Sequence, residues 1–250
     1  MKLGILSDIH SNPFALRAVL KDIESFEVES ILNAGDTFGY YPWAQETFDI
    51  LKPLNMQSII GNHDKLVLRT LESSEPNNST ERLAYQEAAA QNADDLSSAG
   101  RQWLRELPDQ LQIDVEPWKI KLVHGTPDDP SNGRFYPDNE TIYPWFPAKG
   151  EILIMGHTHY PILRRFEGGG ILLNPGSVGQ PRDGDLWPGW IFLDTDRLDA
   201  PDGLPEIRRV EYDRFQPMEL LEKQGWPGRF IKALNKTSPG PMDRELLYDD

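Results

Sequence analysis

Within the first 64 residues the hydrophobic pattern switches repeatedly between that of a strand and that of a helix. This alternation limits the fold more than any other feature of the chain. The run KLGILS (2–7) is short and continuously apolar, as in a buried strand. In PFALRAVLKDIESF (13–26), Leu16, Val19, Leu20 and Ile23 keep helical spacing, and Asn12-Pro13 supplies a cap and a first turn. ESILNAGD (29–36) is a second strand, AQETFDILKPL (44–54) a second helix and MQSIIGNHD (56–64) a third strand. Strand, helix, strand, helix, strand predicts βαβαβ units and therefore a parallel sheet.

The pattern then changes. Residues 72–80 are a polar loop, and 81–107 are helical in two pieces broken near Asp95 to Ser98, with Pro108 ending the second. Strands are expected over 111–116, 118–124, 151–156, 161–167, 170–174, 189–194 and 206–212, with FEGGGI as a hairpin turn. From Phe215 the tail is one or two helices with a frayed end. No linker or repeat divides the chain. It is expected to be one mixed α/β domain over 1–250, with 65–110 as a candidate helical cap and 215–250 as a C-terminal tail.

Composition excludes several classes of function. There is no cysteine, so disulfides, thiolate metal sites and cysteine nucleophiles are out, which suits a reducing compartment. The net charge of −15 and a pI near 4.7 repel nucleic acid and anionic membrane at long range. No window approaches a membrane span, and the first residues lead straight into a polar turn; a soluble, cytoplasmic protein is expected. A phosphorylated substrate remains compatible, because bound cations reverse the local sign.

The chain has five histidines, and each stands where an apolar run stops: His10 in LSDIHSN, His63 in IIGNHD, His124 in KLVHGTP, and His157 and His159 in EILIMGHTHYP. Ligands of open α/β sheets bind outside the carboxyl ends of the strands, so all five point to one rim. Asp8 and His10 are two apart at a strand end, which puts their side chains on one side, and His157 and His159 repeat that spacing. Asp36 follows Gly35 and Asn62 follows Gly61, glycines that permit close approach or a sharp turn. Nitrogen and oxygen donors without sulfur suit manganese, iron or zinc, and there are enough of them for two ions sharing a bridge.

The blocks Asp8-x-His10, Gly35-Asp36, Gly61-Asn62-His63-Asp64, His124-Gly125 and Gly156-His157-Thr158-His159, in that order, resemble the calcineurin-like metallophosphoesterase superfamily. NPGSVGQPRDGD (174–185) and EIRRVEYD (206–213) resemble its small bacterial and archaeal branch. The resemblance implies a four-layer α-β-β-α sandwich of two mixed sheets with flanking helices. It implies one divalent ion held by Asp8, His10, Asp36 and His159, and a second held by Asp36, Asn62, His124 and His157, with manganese or iron favoured. Asp36 would bridge, and His63 would act on the leaving group as acid or electrostatic support. The implied activity is hydrolysis of small phosphomonoesters, phosphodiesters or nucleotides, including dinucleoside polyphosphates, by attack of a hydroxide shared by the ions. The alternative is a catalytically silent metal-binding scaffold for protein partners, which the complete donor set counts against; acidity counts against a nuclease.

One departure matters. Protein phosphatases of this superfamily follow the Gly-Asp with a further Asp-Arg-Gly, whereas here the run is GDTFGYYPW, with Gly39 and Tyr40 in those places. Phosphate gripping then falls to Arg134 in NGRFYP or Arg182 in GQPRDG. Arg134 is favoured because it follows His124-Gly125 by only nine residues, while Arg182 is expected to lie farther off. Tyr40 either stacks on a base or aryl group of the substrate or packs at the rim.

Overall fold

The computed structural model describes residues 1–72, 80–200 and 203–236. Its βαβαβ start is as the periodicity predicts: β1 (Lys2–Leu6), α1 (Pro13–Glu24), β2 (Ser30–Asn33), α2 (Ala44–Leu51) and β3 (Met56–Ser58). β1 pairs parallel with β2, and β2 with β3. Asn12 caps α1, its side-chain oxygen accepting from the Ala15 N–H. Three further helices follow, α3 (Asn62–Glu72), α4 (Thr80–Asp95) and α5 (Ser98–Glu106). The break between the last two is where the sequence placed it, with Ser97 capping α5 through the Gly100 N–H.

One expected element is different. The third strand ends at Ser58 instead of running to residue 64, and Asn62 opens α3. Asp64 explains the change: its buried carboxylate accepts from the Gly61 N–H three residues back, and from the N–H groups of Thr37 and Phe38, so it turns the chain into a helix and ties that turn to the neighbouring loop. The polar loop expected over 72–80 lies mostly outside the described residues.

The remaining strands are β4 (Gln110–Val115), β5 (Trp118–Val123), β6 (Glu151–Ile154), β7 (Pro161–Arg165), β8 (Ile171–Pro175), β9 (Gly189–Asp194) and β10 (Glu206–Arg209), followed by α6 (Phe215–Lys223) and α7 (Gly228–Ala233). Among the described residues they complete two five-stranded mixed sheets, ordered β10-β9-β1-β2-β3 and β4-β5-β6-β8-β7. The sheets face each other across one core. Leu3, Ile5, Leu32, Ile191 and Leu193 come from the first sheet and Ile120, Leu122, Ile152, Ile154 and Leu173 from the second. α1 and α2 cover the outer face of the first sheet, with Leu16, Val19 and Leu51 packed with Ile31 and Trp190. The outer face of the second meets aromatic side chains of the β5–β6 connection, Phe135, Tyr143, Trp145 and Phe146. The parallel strands β1, β2 and β3 of one sheet and β5 and β6 of the other end at the same rim, and every candidate donor follows one of those ends. No helix among the described residues is long and apolar enough to cross a membrane.

Candidate metal centre

Seven candidate donors from five separate strand ends converge in two groups. Asp8, His10 and His159 form one; Asp36, His124 and His157 form the other, with Asn62 against it. Asp36 Oδ2 lies between them, 3.8 Å from His10 Nε2 and 3.2 Å from His124 Nε2.

The backbone reaches this arrangement in a way that strand alternation did not predict. Asp8 and His10 lie beyond the end of β1, and both adopt positive φ (53° and 51°); Asp36 (52°), His157 (66°) and His159 (61°) do the same. Non-glycine residues there are strained by an order of 1–3 kcal/mol each and persist only where surroundings over-determine them. Here the surroundings do. The N–H groups of Asp8, His10 and Ser11 donate to the carbonyls of Gly35, Asp36 and Thr37, zipping the first two loops together. The Val178 and Gly179 N–H groups donate to Ser7 and Asp8 carbonyls, and Ser177 Oγ adds a second bond to the Asp8 carbonyl. Gly61 allows the close approach expected of it, since a Cβ there would collide with the Asp36 carboxylate.

Which atoms are left over decides what the site can hold. Nδ1 of His10 faces the Phe38 carbonyl (3.3 Å), that of His159 the Gln180 carbonyl (2.6 Å) and that of His124 the Ala34 carbonyl (2.8 Å). A carbonyl only accepts, so each Nδ1 carries a ring proton, and in the neutral rings of His10 and His159 each Nε2 presents a bare lone pair. Yet His10 Nε2 and His159 Nε2 are 3.1 Å apart, and His159 Nε2 is 3.2 Å from Asp8 Oδ1. The other carboxylate oxygen of Asp8 is occupied by Ser7 Oγ (2.6 Å) and the His157 N–H (3.1 Å), while buried Oδ1 has no hydrogen-bond donor among the described residues. In the second group Asn62 Oδ1 accepts from His157 Nδ1 (2.9 Å) and lies 3.0 Å from His124 Nε2, while buried His157 Nε2 has no hydrogen-bond partner among the described residues. The opposed lone pairs of His10, His159 and Asp8 repel unless a cation lies among them, and the orphaned Nε2 of His157 lacks a partner in the second group, so these residues fit metal ions.

The protonation equilibria agree. Burial would raise Asp8, but the neighbouring His159 and His124 rings hold it well below the carboxylate range; Asp36 is lowered likewise, chiefly by His124. Burial pushes His10 well below its ordinary value despite the Asp36 charge, with His159, His63 and Arg182 adding to the fall. His159 is lowered by burial and Arg182, and His157 by burial, His124 and Arg134. These rings are therefore neutral, as ligation requires. His124 alone rises, to about 9, because the Asp36 charge outweighs burial.

A match to the calcineurin-like phosphoesterase superfamily domain covers residues 1–197, from β1 through all of these donors. The chain belongs to that superfamily. It is 30% identical over 241 residues to an uncharacterised protein of Methanocaldococcus jannaschii, covering 90% of this chain and 93% of that one. It is also 30% identical over 221 residues to the protein named "Probable metallophosphoesterase" in Methanothermobacter thermautotrophicus, covering 86% of this chain and 100% of the relative. Among solved structures, a metallophosphoesterase of Sphaerobacter thermophilus superposes with a TM-score of 0.73 at 26% identity, over 95% of this chain and 99% of that one. A hypothetical protein of Pyrococcus horikoshii shares the fold, with a TM-score of 0.79 at 23% identity over 96% and 98%. The superfamily is metal-dependent, in accord with the two donor groups.

Around the donors the predicted residues fall in different places. The His63 ring is half-buried, 5.1 Å from the His10 ring, and the backbone N–H of His63 donates to Asp36 Oδ1 (2.9 Å). Asp64 does not face it, being engaged by the three loop N–H groups. Tyr40 is only 3% exposed, and its ring lies flat on His10, 3.9 Å between centroids and 8° between planes. Positive φ at Gly39 (102°) and Tyr40 (48°) turns the side chain inward. The Tyr40 ring packs on His10, and that face is closed to a substrate ring. Arg182, expected farther away, is close. Its guanidinium donates to Tyr40 Oη (2.7 Å) and Gln180 Oε1 (3.3 Å), and its charge is felt by His10 and His159. Half-buried Arg134 is felt by His157, on the other side.

Sequence reasoning passed over several supporting residues. Asn92 is fully buried in α4; it accepts from Ser11 Oγ (2.5 Å) and the Gly39 N–H (3.0 Å) and donates to the Tyr41 carbonyl (2.8 Å). It ties that helix to the loops bearing His10 and Tyr40. The one available signal was an asparagine beside the alanine run EAAAQNADD. Ser177 and Gln180, within the stretch 174–185, hold Asp8 and His159 by backbone contacts that no side-chain pattern announces.

Proposed function

We propose that this chain is a dinuclear metal-dependent phosphoesterase acting on small phosphorylated substrates. The supporting observation is the set of opposed, unprotonated donors: the Nε2 atoms of His10 and His159, Asp8 Oδ1 and Asp36 Oδ2, each with its other polar atom already engaged. One ion is assigned to Asp8, His10, His159 and Asp36, and the other to His124, His157, Asn62 and the same Asp36. The all-nitrogen-and-oxygen set suits manganese or iron. Such ions, when bound, lower the pKa of a shared water and neutralise phosphoryl oxygens.

The protein groups supply the rest. His63 stands beside the first group without belonging to either, and is assigned the leaving-group proton. Arg134, on the His157 side, is assigned to the phosphoryl oxygens that the ions do not hold, and Arg182, on the His10–His159 side, is a second cation available to anionic parts of the substrate. Helices α3 and α4, which carry His63 and Tyr85 on that side of the donors, are assigned as one wall of the substrate site. Phosphomonoesters, phosphodiesters, nucleotides and dinucleoside polyphosphates all fall within this class, and a cysteine-free chain suits the cytoplasm.

The test is a panel of aryl phosphates, nucleotides and dinucleoside polyphosphates with manganese, using Asp36→Asn as the blank. Elemental analysis of the loaded protein should give close to two ions per chain. Stoichiometry of one or less would sink the dinuclear model. Turnover equal to the blank across the panel would sink the enzyme and leave the scaffold.

A further inference from the structure

We propose that Arg229 and Arg182 form a subsite for a second, distal phosphoryl group, on the His63 side of the rim, so that the preferred leaving group is itself phosphorylated. The proposal rests on the phosphoesterase reading above and adds a substrate class to it.

The subsite is built by two elements far apart in sequence. Tyr85 comes from α4, and its ring lies 5.5 Å from the His63 ring, 5.4 Å from Tyr40 and 5.7 Å from Phe230 of α7. Arg229 of α7 lays its guanidinium over Tyr85, 5.3 Å from the ring centroid. Arg182 does the same over Tyr40 at 6.0 Å while donating to the Tyr40 hydroxyl. Two guanidiniums thus ride on adjacent rings of one aromatic wall, Arg229 one ring farther from the donors than His63.

Arg229 has no carboxylate partner among the described residues, and Arg182 hydrogen-bonds only to a phenol and an amide. In a chain with 40 acidic and 25 basic residues, cations set beside a rim without paired carboxylates run against the average composition. A guanidinium stacked on a ring keeps its N–H edges free for an anion, the geometry phosphate recognition uses. Position supplies the rest. With the scissile phosphoryl group on the donors and His63 at the leaving oxygen, the next anionic centre of the substrate falls toward Tyr85 and Arg229. A neutral alcohol leaving group would make no use of either cation. The wall is also closed by α7, which lies beyond the superfamily match ending at residue 197, so this arm is added to the metal-binding core.

The test uses the full chain in excess manganese, titrated calorimetrically with AMP and with its α,β-methylene diphosphate analogue. The wild type should bind the diphosphate more tightly. Arg229→Gln should shrink that preference by about ten-fold, and Arg229→Lys should retain part of it. Arg229 is exposed, so the substitution leaves the core intact. A preference unmoved by Arg229→Gln, or absent from the wild type, overturns the subsite while leaving the metal centre standing. If the wild type binds neither compound, the phosphoesterase reading fails and the subsite with it.

Discussion

The two donor groups are not equivalent, and the difference lies in what stands behind each ligand. In the first, His10 and His159 both have their far nitrogen held by a backbone carbonyl, His10 is stacked flat on Tyr40, and Asp8 is anchored by Ser7 and the His157 N–H. The second has one such support, from Ala34 to His124. The far nitrogen of His157 has no hydrogen-bond partner among the described residues, the residue is 8% exposed, and half-buried Asn62 places a neutral amide where the first group has a carboxylate. The first group is therefore more negative and more rigid. Its ion should be the structural partner of the pair and the other the exchangeable one.

Removing what the groups share is the most severe way to break that contrast. Asp36→Asn takes the charge from the oxygen between them and should loosen both ions together, lowering kcat by more than about a thousand-fold. Retention of one tight ion by that variant, measured by elemental analysis, would show that the oxygen is not shared. His63→Asn acts outside both groups. It should keep both ions while lowering kcat by about 10²- to 10⁴-fold for esters with poor leaving groups, and far less for activated aryl esters. Loss of an ion would make His63 a ligand instead of an acid. Arg134→Ala removes the cation on the weaker side. It should lower kcat/KM and weaken inhibition by inorganic phosphate together, by about ten- to a hundred-fold, with the metals in place; if both constants stay put, Arg134 is a loop residue. The smallest effect sharpens the contrast directly. Graded chelation should release one ion before the other, with affinities about ten-fold or more apart, and His157→Ala should spare the tighter ion. Simultaneous release would make the groups equivalent.

Much of this molecule was legible in its residues. The alternating periods at the start gave the parallel strands, and the position of every donor after an apolar run gave the rim, because strand ends are marked locally by where hydrophobic burial stops. MQSII has the pattern of a strand up to Gly61, whereas β3 ends at Ser58. Only the carboxylate of Asp64, reaching loop N–H groups 26 and 27 residues away, converts that stretch into the start of α3. Tyr40 illustrates the same gap. An aromatic next to such a loop looks equally fit for substrate or for packing, and only the left-handed turn at Gly39 and Tyr40 lays its ring on His10.

The sequence by itself determined the α/β class, the superfamily and the chemical nature of the donors, since each depends on residue identity and near-neighbour spacing. Tertiary structure alone decided how those donors face one another. The opposed lone pairs of His10 and His159 come from positions 149 residues apart, and the tautomer of each ring is fixed by a carbonyl from another segment. It likewise decided that α4 and α7 bring Tyr85 and Arg229 to the side of His63. Periodicity in a chain reports which face of an element is buried. It carries no term for which distant atom will lie opposite, and electrostatic interaction at about 3 Å depends on that alone.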